Sequence, residues 1–196
     1  MALLRTRLRT LACIVVVLTS GSAPARAERR IDIDRSRITI FVYKSGLFSA
    51  FADNHIVSAR VASGTLSAAG PLSVAMVVRA RDLVVLDPDL AAAKRAEVQT
   101  RMLGPEVLDA ATYAEITFSS TAVETAGSER WKVTGLLTIH GRAQTIVFDA
   151  RREGGVFGGS MLIKQRDFGI APISIAGGAV KVKDELKITF EIVLAP

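Results

Sequence analysis

From Trp131 to Phe148 apolar and polar residues alternate, and the alternation breaks once, at His140-Gly141-Arg142. A period of two puts successive side chains on opposite faces of a strand, so this stretch predicts two antiparallel strands around a tight turn, with Gly141 supplying the permissive backbone. Similar segments lie on both sides. Residues 38–44 set Ile38, Ile40 and Val42 on one face and Thr39, Phe41 and Tyr43 on the other, so both faces carry apolar groups. Further strands are predicted at about 56–67, 72–81 with 83–86 as an extension, 115–123, 131–139, 145–152, 157–165 and 186–194. Ala69-Gly70-Pro71 and Glu153-Gly154-Gly155 mark turns between neighbours. Eight antiparallel strands leave two open edges, and closure into a small barrel removes them. The expected fold class is all-β: an eight-stranded antiparallel β-barrel.

One segment breaks the pattern. Asp87-Pro88-Asp89 reads as a helix start, with Asp87 as N-cap and Pro88 in the first turn, and the helix runs from Ala91 to Leu103 before Gly104-Pro105 stops it. Glu97 and Arg101 lie four apart and support it by about 0.3 kcal/mol. Val98, Met102 and Leu103 form its apolar side. The pattern is compatible with a plug in one end of the barrel and with a lid over a cavity mouth.

Residues 1–27 stand outside the fold. Arg5, Arg7 and Arg9 precede the apolar run Leu11 to Leu18, and Ala25-Arg26-Ala27 follows, the charged, apolar and small-residue parts of a secretory signal cleaved after Ala27. The run is short of the roughly 20 apolar residues that span a bilayer. Cys13 precedes most of the run, where no lipid-attachment signal would place it. The expectation is a periplasmic or secreted protein without a lipid anchor, its single domain at 28–196.

Removing the signal changes the charge. The 196-residue chain has 25 Lys and Arg against 19 Asp and Glu. The signal holds four of the arginines and no acid, which leaves 21 against 19. Short basic pairs such as Arg29-Arg30 and Arg151-Arg152 fit solvated strand ends, so no nucleic-acid partner is expected. Cys13, the one cysteine, leaves with the signal, and the fold rests on its core. A domain of this size buries roughly 70% of the surface of its unfolded chain.

Several residues invite a chemical reading. His55 and His140 are the two histidines, fewer than the three or four donors of a zinc or iron site, so no metal or cofactor is expected. Asp167-Phe168-Gly169 spells the magnesium motif of protein kinases without its companion motifs, and fits a strand end with Phe168 packed inward and Gly169 at a bend. The glycines from Gly154 to Gly159 lack the lysine of a phosphate cradle. Carboxylate pairs at Asp32/Asp34, Asp87/Asp89 and Asp184/Glu185 fit turns and strand ends, and no Ser, His and Asp set has a nucleophile context. The residues point to binding and away from catalysis.

The run Val133-Thr134-Gly135-Leu136-Leu137-Thr138-Ile139-His140-Gly141 resembles the "VTGDLTIHG" signature of the YceI-like family of secreted bacterial lipid-binding proteins. Three other stretches agree in order: Met102 to Asp109 followed by Tyr113 to Ser120, then Lys164 to Ile170, then Lys183 to Ile188. The resemblance is good over residues 85–196 and looser at Ile31-Asp32 and the first strand. It departs most at 46–60, where Phe48-Ser49-Ala50-Phe51-Ala52-Asp53-Asn54-His55 replaces a basic, glycine-containing segment. It implies a lipocalin-like eight-stranded barrel with the helix in a crossover connection, an apolar interior holding a long isoprenoid chain, and no catalysis.

The residues alone leave the interior open, since eight strands enclose either packed side chains or one ligand. Eleven aromatics in the chain, among abundant small residues, lean toward a cavity. The expected lining is Phe41 and Tyr43 on the first strand, Phe48 and Phe51 after it, Met102 on the helix and Leu108 beyond it. Phe118, Trp131, Leu137, Phe148, Met161 and Phe168 complete it. A one-residue register error would move any strand residue to the other face. Asn54, His55 and His140 are candidates for a polar headgroup, against exposed or structural turns. The expected partner is an isoprenoid or similar amphiphile, with a transient membrane encounter. The alternative is an envelope interaction barrel with a filled interior, working through surfaces near Gly46 to Ala59.

Overall fold

The hairpin at the centre of the pattern sets the geometry of the sheet. The computed structural model describes residues 28–45, 54–67, 72–175 and 180–196. Strands β8 (Arg130–Ile139) and β9 (Arg142–Glu153) pair along their length. Their turn is only His140-Gly141, with φ of 52° and 70°, the two positive values a type I′ turn demands. β7 (Glu115–Gly127) pairs with β8, and β10 (Val156–Lys164) with β9 through Gly154-Gly155, both at positive φ. β12 (Val180–Val193) follows β10, and β2 (Arg37–Ser45) follows β12. β3 (His55–Ala59) pairs with β2, and β6 (Val84–Val85) with β3.

On the other side of β7 lie β5 (Ser73–Arg79), β4 (Val61–Ser67) and β1 (Glu28–Arg30). β11 (Ser174–Ile175) pairs with β12. The result is one curled antiparallel sheet of twelve strands in the order β1-β4-β5-β7-β8-β9-β10-β12-β2-β3-β6, with β11 off that path. Chain continuity draws its two ends together, because β3 near one end and β4 near the other are separated only by Arg60. Ile31 adds a bridge to Leu194, and its amide bonds the Gly64 carbonyl at 2.9 Å.

The expected count of eight is therefore corrected to twelve. Two of the additional strands, β1 and β11, are only three and two residues long. The other two come from division. The candidate at 56–67 splits at Arg60, and the candidate at 72–81 with its extension splits at a 3-10 turn, Ala80–Asp82. The first break is a change of partner, since β3 pairs with β2 and β6 whereas β4 pairs with β1 and β5. So is the second, which takes the chain from β4 and β7 to β3. Val57, Ala59 and Val61 are all buried, so alternation runs on through the break at Arg60.

The helix α1 (Ala92–Leu103) starts later than its sequence signal implies. Ala91 stands at its N-cap without a side-chain bond, while the Gly104 amide closes the other end on the Thr100 and Arg101 carbonyls at 3.0 and 3.2 Å. Asp87 is taken by tertiary contacts: it is buried, and one oxygen accepts the Ile56 amide at 2.7 Å. Glu97 pairs with Lys94 at 2.8 Å instead of Arg101, which pairs with Glu106 at 3.0 Å. Val98, Met102 and Leu103 do face the core.

Candidate functional site: an apolar channel with a basic rim

The inward residues of the sheet do not fill it. They surround a cavity of about 730 Å³ whose wall is built from Ile38, Ile40 and Val42 of β2, Val57 of β3, Val74, Met76 and Val78 of β5, and the inner faces of β7 to β10 and β12. Along β8 the lining runs from Trp131 through Val133 and Leu137 to Ile139. Eight residue steps at about 3.4 Å, tilted about 40° to the barrel axis, give a length of roughly 20 Å. The mean cross-section is then about 35 Å², enough for one branched hydrocarbon chain at van der Waals distance from the wall. Phe118, Phe148 and Phe190 meet in sequence within this space, with ring centroids 5.6 and 5.4 Å apart, and Trp131 meets Phe157 at 5.7 Å near the end away from α1. A second apolar cluster, Ile31, Val61, Ile192 and Leu194, packs beside Phe157 and Phe190.

Eight of the expected lining residues face this channel: Met102, Leu108, Phe118, Trp131, Leu137, Phe148, Met161 and Phe168. Phe41 and Tyr43 do not, and their assignment is corrected. They occupy the outer face of β2, where Tyr43 is 37% exposed, while Ile38, Ile40 and Val42 face inward. Both faces of this strand are apolar, so hydrophobicity alone cannot choose between them, and the branched aliphatics leave lumen where rings would fill it. Phe48 and Phe51 lie outside the described residues.

Of the headgroup candidates, His55 lines the cavity; Asn54 and His140 do not. Asn54 accepts the Lys44 amide at 3.0 Å and so caps the end of β2. The His140 ring sits 4.2 Å from that of Tyr113, over the turn whose positive φ it adopts. Phe168 is 1% exposed in a 3-10 turn closed by Gly169 at φ 75°, which places Asp167-Phe168-Gly169 at a strand end.

The polar lining is concentrated at one end. Lys44 lies near the end of β2 and Lys181 near the start of β12, with Ser45 and Lys181 in register, and His55 begins β3. Helix α1 crosses the same end and presents Lys94, Glu97, Val98, Arg101 and Met102 to the channel, the spacing of one helical stripe. Lys94 holds the Glu97 carboxyl below the ordinary carboxylate range, by its hydrogen bond first and its charge second. His55 bonds Asp87 through Nδ1 at 2.6 Å, so both Asp87 oxygens are engaged. The helix is tied to the β6 edge by Gln99, whose Oε1 accepts the Val85 amide at 2.7 Å and whose Nε2 donates to the Leu83 carbonyl at 2.8 Å. Neither the basic rim nor this tie is visible in the sequence pattern, because the residues involved are far apart in the chain.

Solved structures share the fold. A Burkholderia cenocepacia protein, BcnA, is 23% identical, with a TM-score of 0.61 over 85% of this chain and 99% of its own. A polyisoprenoid binding domain from Saccharophagus degradans, described as implicated in plant cell wall breakdown, is 18% identical, with a TM-score of 0.60 over 88% of this chain and 100% of its own. In sequence, a UPF0312 protein of Pseudomonas syringae pv. tomato is 34% identical over 106 residues, 49% of this chain and 53% of its own. The chain spans about half the length of the curated relatives it matches. The model of the YceI-like domain matches residues 30–194, and the chain belongs to that family.

Proposed function

We propose that this protein binds one isoprenoid-type lipid, polyprenyl or quinone-like, with its chain in the channel, and acts outside the cytoplasm as a carrier or buffer without catalysing a reaction on it. This reading rests on the channel's width, that of a single branched chain, combined with an apolar wall. The name of the Saccharophagus degradans domain lends the ligand class, and residues 1–27 lend the location. At roughly 30 Å³ per carbon-sized group the channel holds about two dozen carbons, or about five isoprene units. Burying such a tail from water at about 0.8 kcal/mol per carbon gives on the order of 20 kcal/mol, close to the ceiling of noncovalent affinity, before ordering costs are subtracted. The lipid of a cell starts in a membrane, where its tail is already buried, so net transfer lies near balance, as a carrier requires.

A chain-length series tests this. With isoprenoid alcohols, affinity rises by roughly tenfold or more per added unit and levels off near five units, where the channel is full. Affinity indifferent to length, or no binding at any length, would remove the reading. An interaction role is the second reading. It is favoured by the apolar row Phe41, Ile56 and Leu86 across β2, β3 and the residue after β6, flanked by exposed Tyr43 and Val84. Mature protein beginning at Glu28 in the extracytoplasmic fraction would support the location; retention of residues 1–27 on a cytoplasmic protein would contradict it.

A further inference from the structure

The wall of the channel is interrupted on one side. The ladder between β9 and β10 runs from Glu153↔Val156 to Asp149↔Ser160 and stops there. Both strands go on, β9 back to Arg142 beside β8 and β10 forward to Lys164 beside β12, so each keeps one neighbour and loses the other. Residues 161–164 of β10 border the resulting slit, a length of roughly 13 Å at about 3.4 Å per residue. Its base is held by the 3-10 turn Gln165–Phe168, where the Gln144 side chain donates to the Asp167 carbonyl at 2.7 Å. Gly169, just after that turn, lies so close to Arg142 that a Cβ would sit 2.6 Å from its Nε. The slit is in the half of the wall nearer α1, because Arg142 pairs with Ile139, the lining residue of β8 at that end.

Apolar residues line the slit on both faces of the sheet. Ile146 and Phe148 of β9 and Met161 and Ile163 of β10 face the channel. Val147 and Leu162 alternate with them on the outer face at 56% and 61% exposure, the two highest values for a large hydrophobic side chain among the described residues. A continued register would set these two opposite each other, and Leu136 of β8, also exposed, lies diagonal to Val147. An open sheet edge is ordinarily guarded by charge, so an apolar pair at the break marks a contact. The charged neighbours are exposed Lys132, Lys164 and Lys187 against exposed Asp149 and Glu185, nearly balanced, which suits a zwitterionic lipid surface. The apolar lining of the channel is thus continuous with an apolar outer patch. A tail drawn out lengthwise past α1 is wetted before it meets a bilayer, whereas one leaving between these two strands passes directly from wall to hydrocarbon.

We propose that Val147 and Leu162 are the lips of a side door that rests on a lipid bilayer, and that the tail of a bound lipid passes between β9 and β10 while its head passes α1. This rests on the lipid-binding reading above and adds the route and the membrane-facing surface. The test is transfer of geranylgeraniol from the loaded mature protein to phosphatidylcholine vesicles. The transfer rate is expected to rise in proportion to vesicle concentration and to change little with salt. In the double variant Val147→Asn, Leu162→Asn transfer is expected to slow about tenfold or more, because the apolar contact with the bilayer is lost. Its affinity for geranylgeraniol, by calorimetry, is expected to stay within about twofold of the parent, since neither side chain lines the channel. Leu86→Asn, on the separate apolar row beside β6, is expected to transfer at the parent rate.

A second variant keeps the outcome independent of misfolding. With Cys13 gone with the signal, Val147→Cys and Leu162→Cys supply the two thiols of the mature chain, which a short bifunctional methanethiosulfonate bridges after loading and a reductant releases. The bridged protein is expected to transfer about tenfold more slowly and to recover when reduced, as for any gate that is tied shut. Transfer at the parent rate in the bridged protein or in the Asn double variant would overturn the side door and leave lipid binding intact. So would a rate independent of vesicle concentration, which means release into water, or an equal slowing by Leu86→Asn, which places the membrane contact at β6. Dimers of the parent that the Asn double variant dissolves would overturn it in favour of a second copy on this face. A protein that takes up no geranylgeraniol in the calorimeter would remove the lipid reading along with it.

Discussion

A Cβ added to Gly135 would lie 2.5 Å from the Phe118 ring and 2.6 Å from the Ser119 carbonyl. The ring rests against the glycine and forms part of the channel wall, so the position tolerates no side chain without displacing Phe118. Gly135→Ala is expected to cost about 1–3 kcal/mol, read as a lower urea midpoint. Gly158→Ala meets only the Phe190 carbonyl at 3.5 Å, without positive φ, and is expected to stay within about 0.5 kcal/mol of the parent. At this scale the sequence is informative where the two faces of a strand differ. Trp131 and Leu137 can be placed inside because Lys132, Thr134 and Thr138 alternate with them on the other face. Phe41 and Tyr43 cannot be placed, because their neighbours Ile40 and Val42 are equally apolar, and the requirement for a lumen is a property of the whole sheet.

Helix α1 crosses the polar end of the channel and lines it with Lys94, Glu97, Val98, Arg101 and Met102. It buries no residue fully, and its firmest tie to the sheet is the pair of Gln99 bonds to the backbone at β6. Gln99→Ala is expected to lower stability by about 1–2 kcal/mol and to speed exchange of bound lipid with liposomes severalfold. Amide exchange at Val85 should accelerate in parallel; unaltered exchange of both lipid and amide would show that α1 does not gate the channel. The existence of this helix is legible in the sequence, as are its Gly104 stop and its apolar stripe. Its start is not. Asp87-Pro88-Asp89 has the local chemistry of an N-cap, but Ile56 and His55, distant in sequence, hold the Asp87 carboxylate. The division of strands at Arg60 is hidden for a related reason, since a strand that changes partner keeps its period of two.

For the whole molecule, lipid binding requires an open lumen, and filling it is the direct perturbation. Val57→Phe with Val133→Phe adds two rings to the channel at residues that are 4% exposed and line the cavity. The variant is expected to fold with a loss of about 1–3 kcal/mol per site and to bind long isoprenoids at least about tenfold more weakly, measured by calorimetry alongside the far-ultraviolet spectrum. Retained binding would place the ligand elsewhere on the molecule. The most direct measurement is native mass spectrometry of the mature protein purified from its own cells without detergent, followed by denaturation and identification of what is released. One lipid per chain, with an isoprenoid fragmentation pattern, is the result expected of a carrier with this channel. A bare protein mass, unchanged after incubation with polyprenyl lipids and quinones, would contradict it and leave the apolar row of half-buried Phe41 and Ile56 with exposed Leu86 as the surface to pursue.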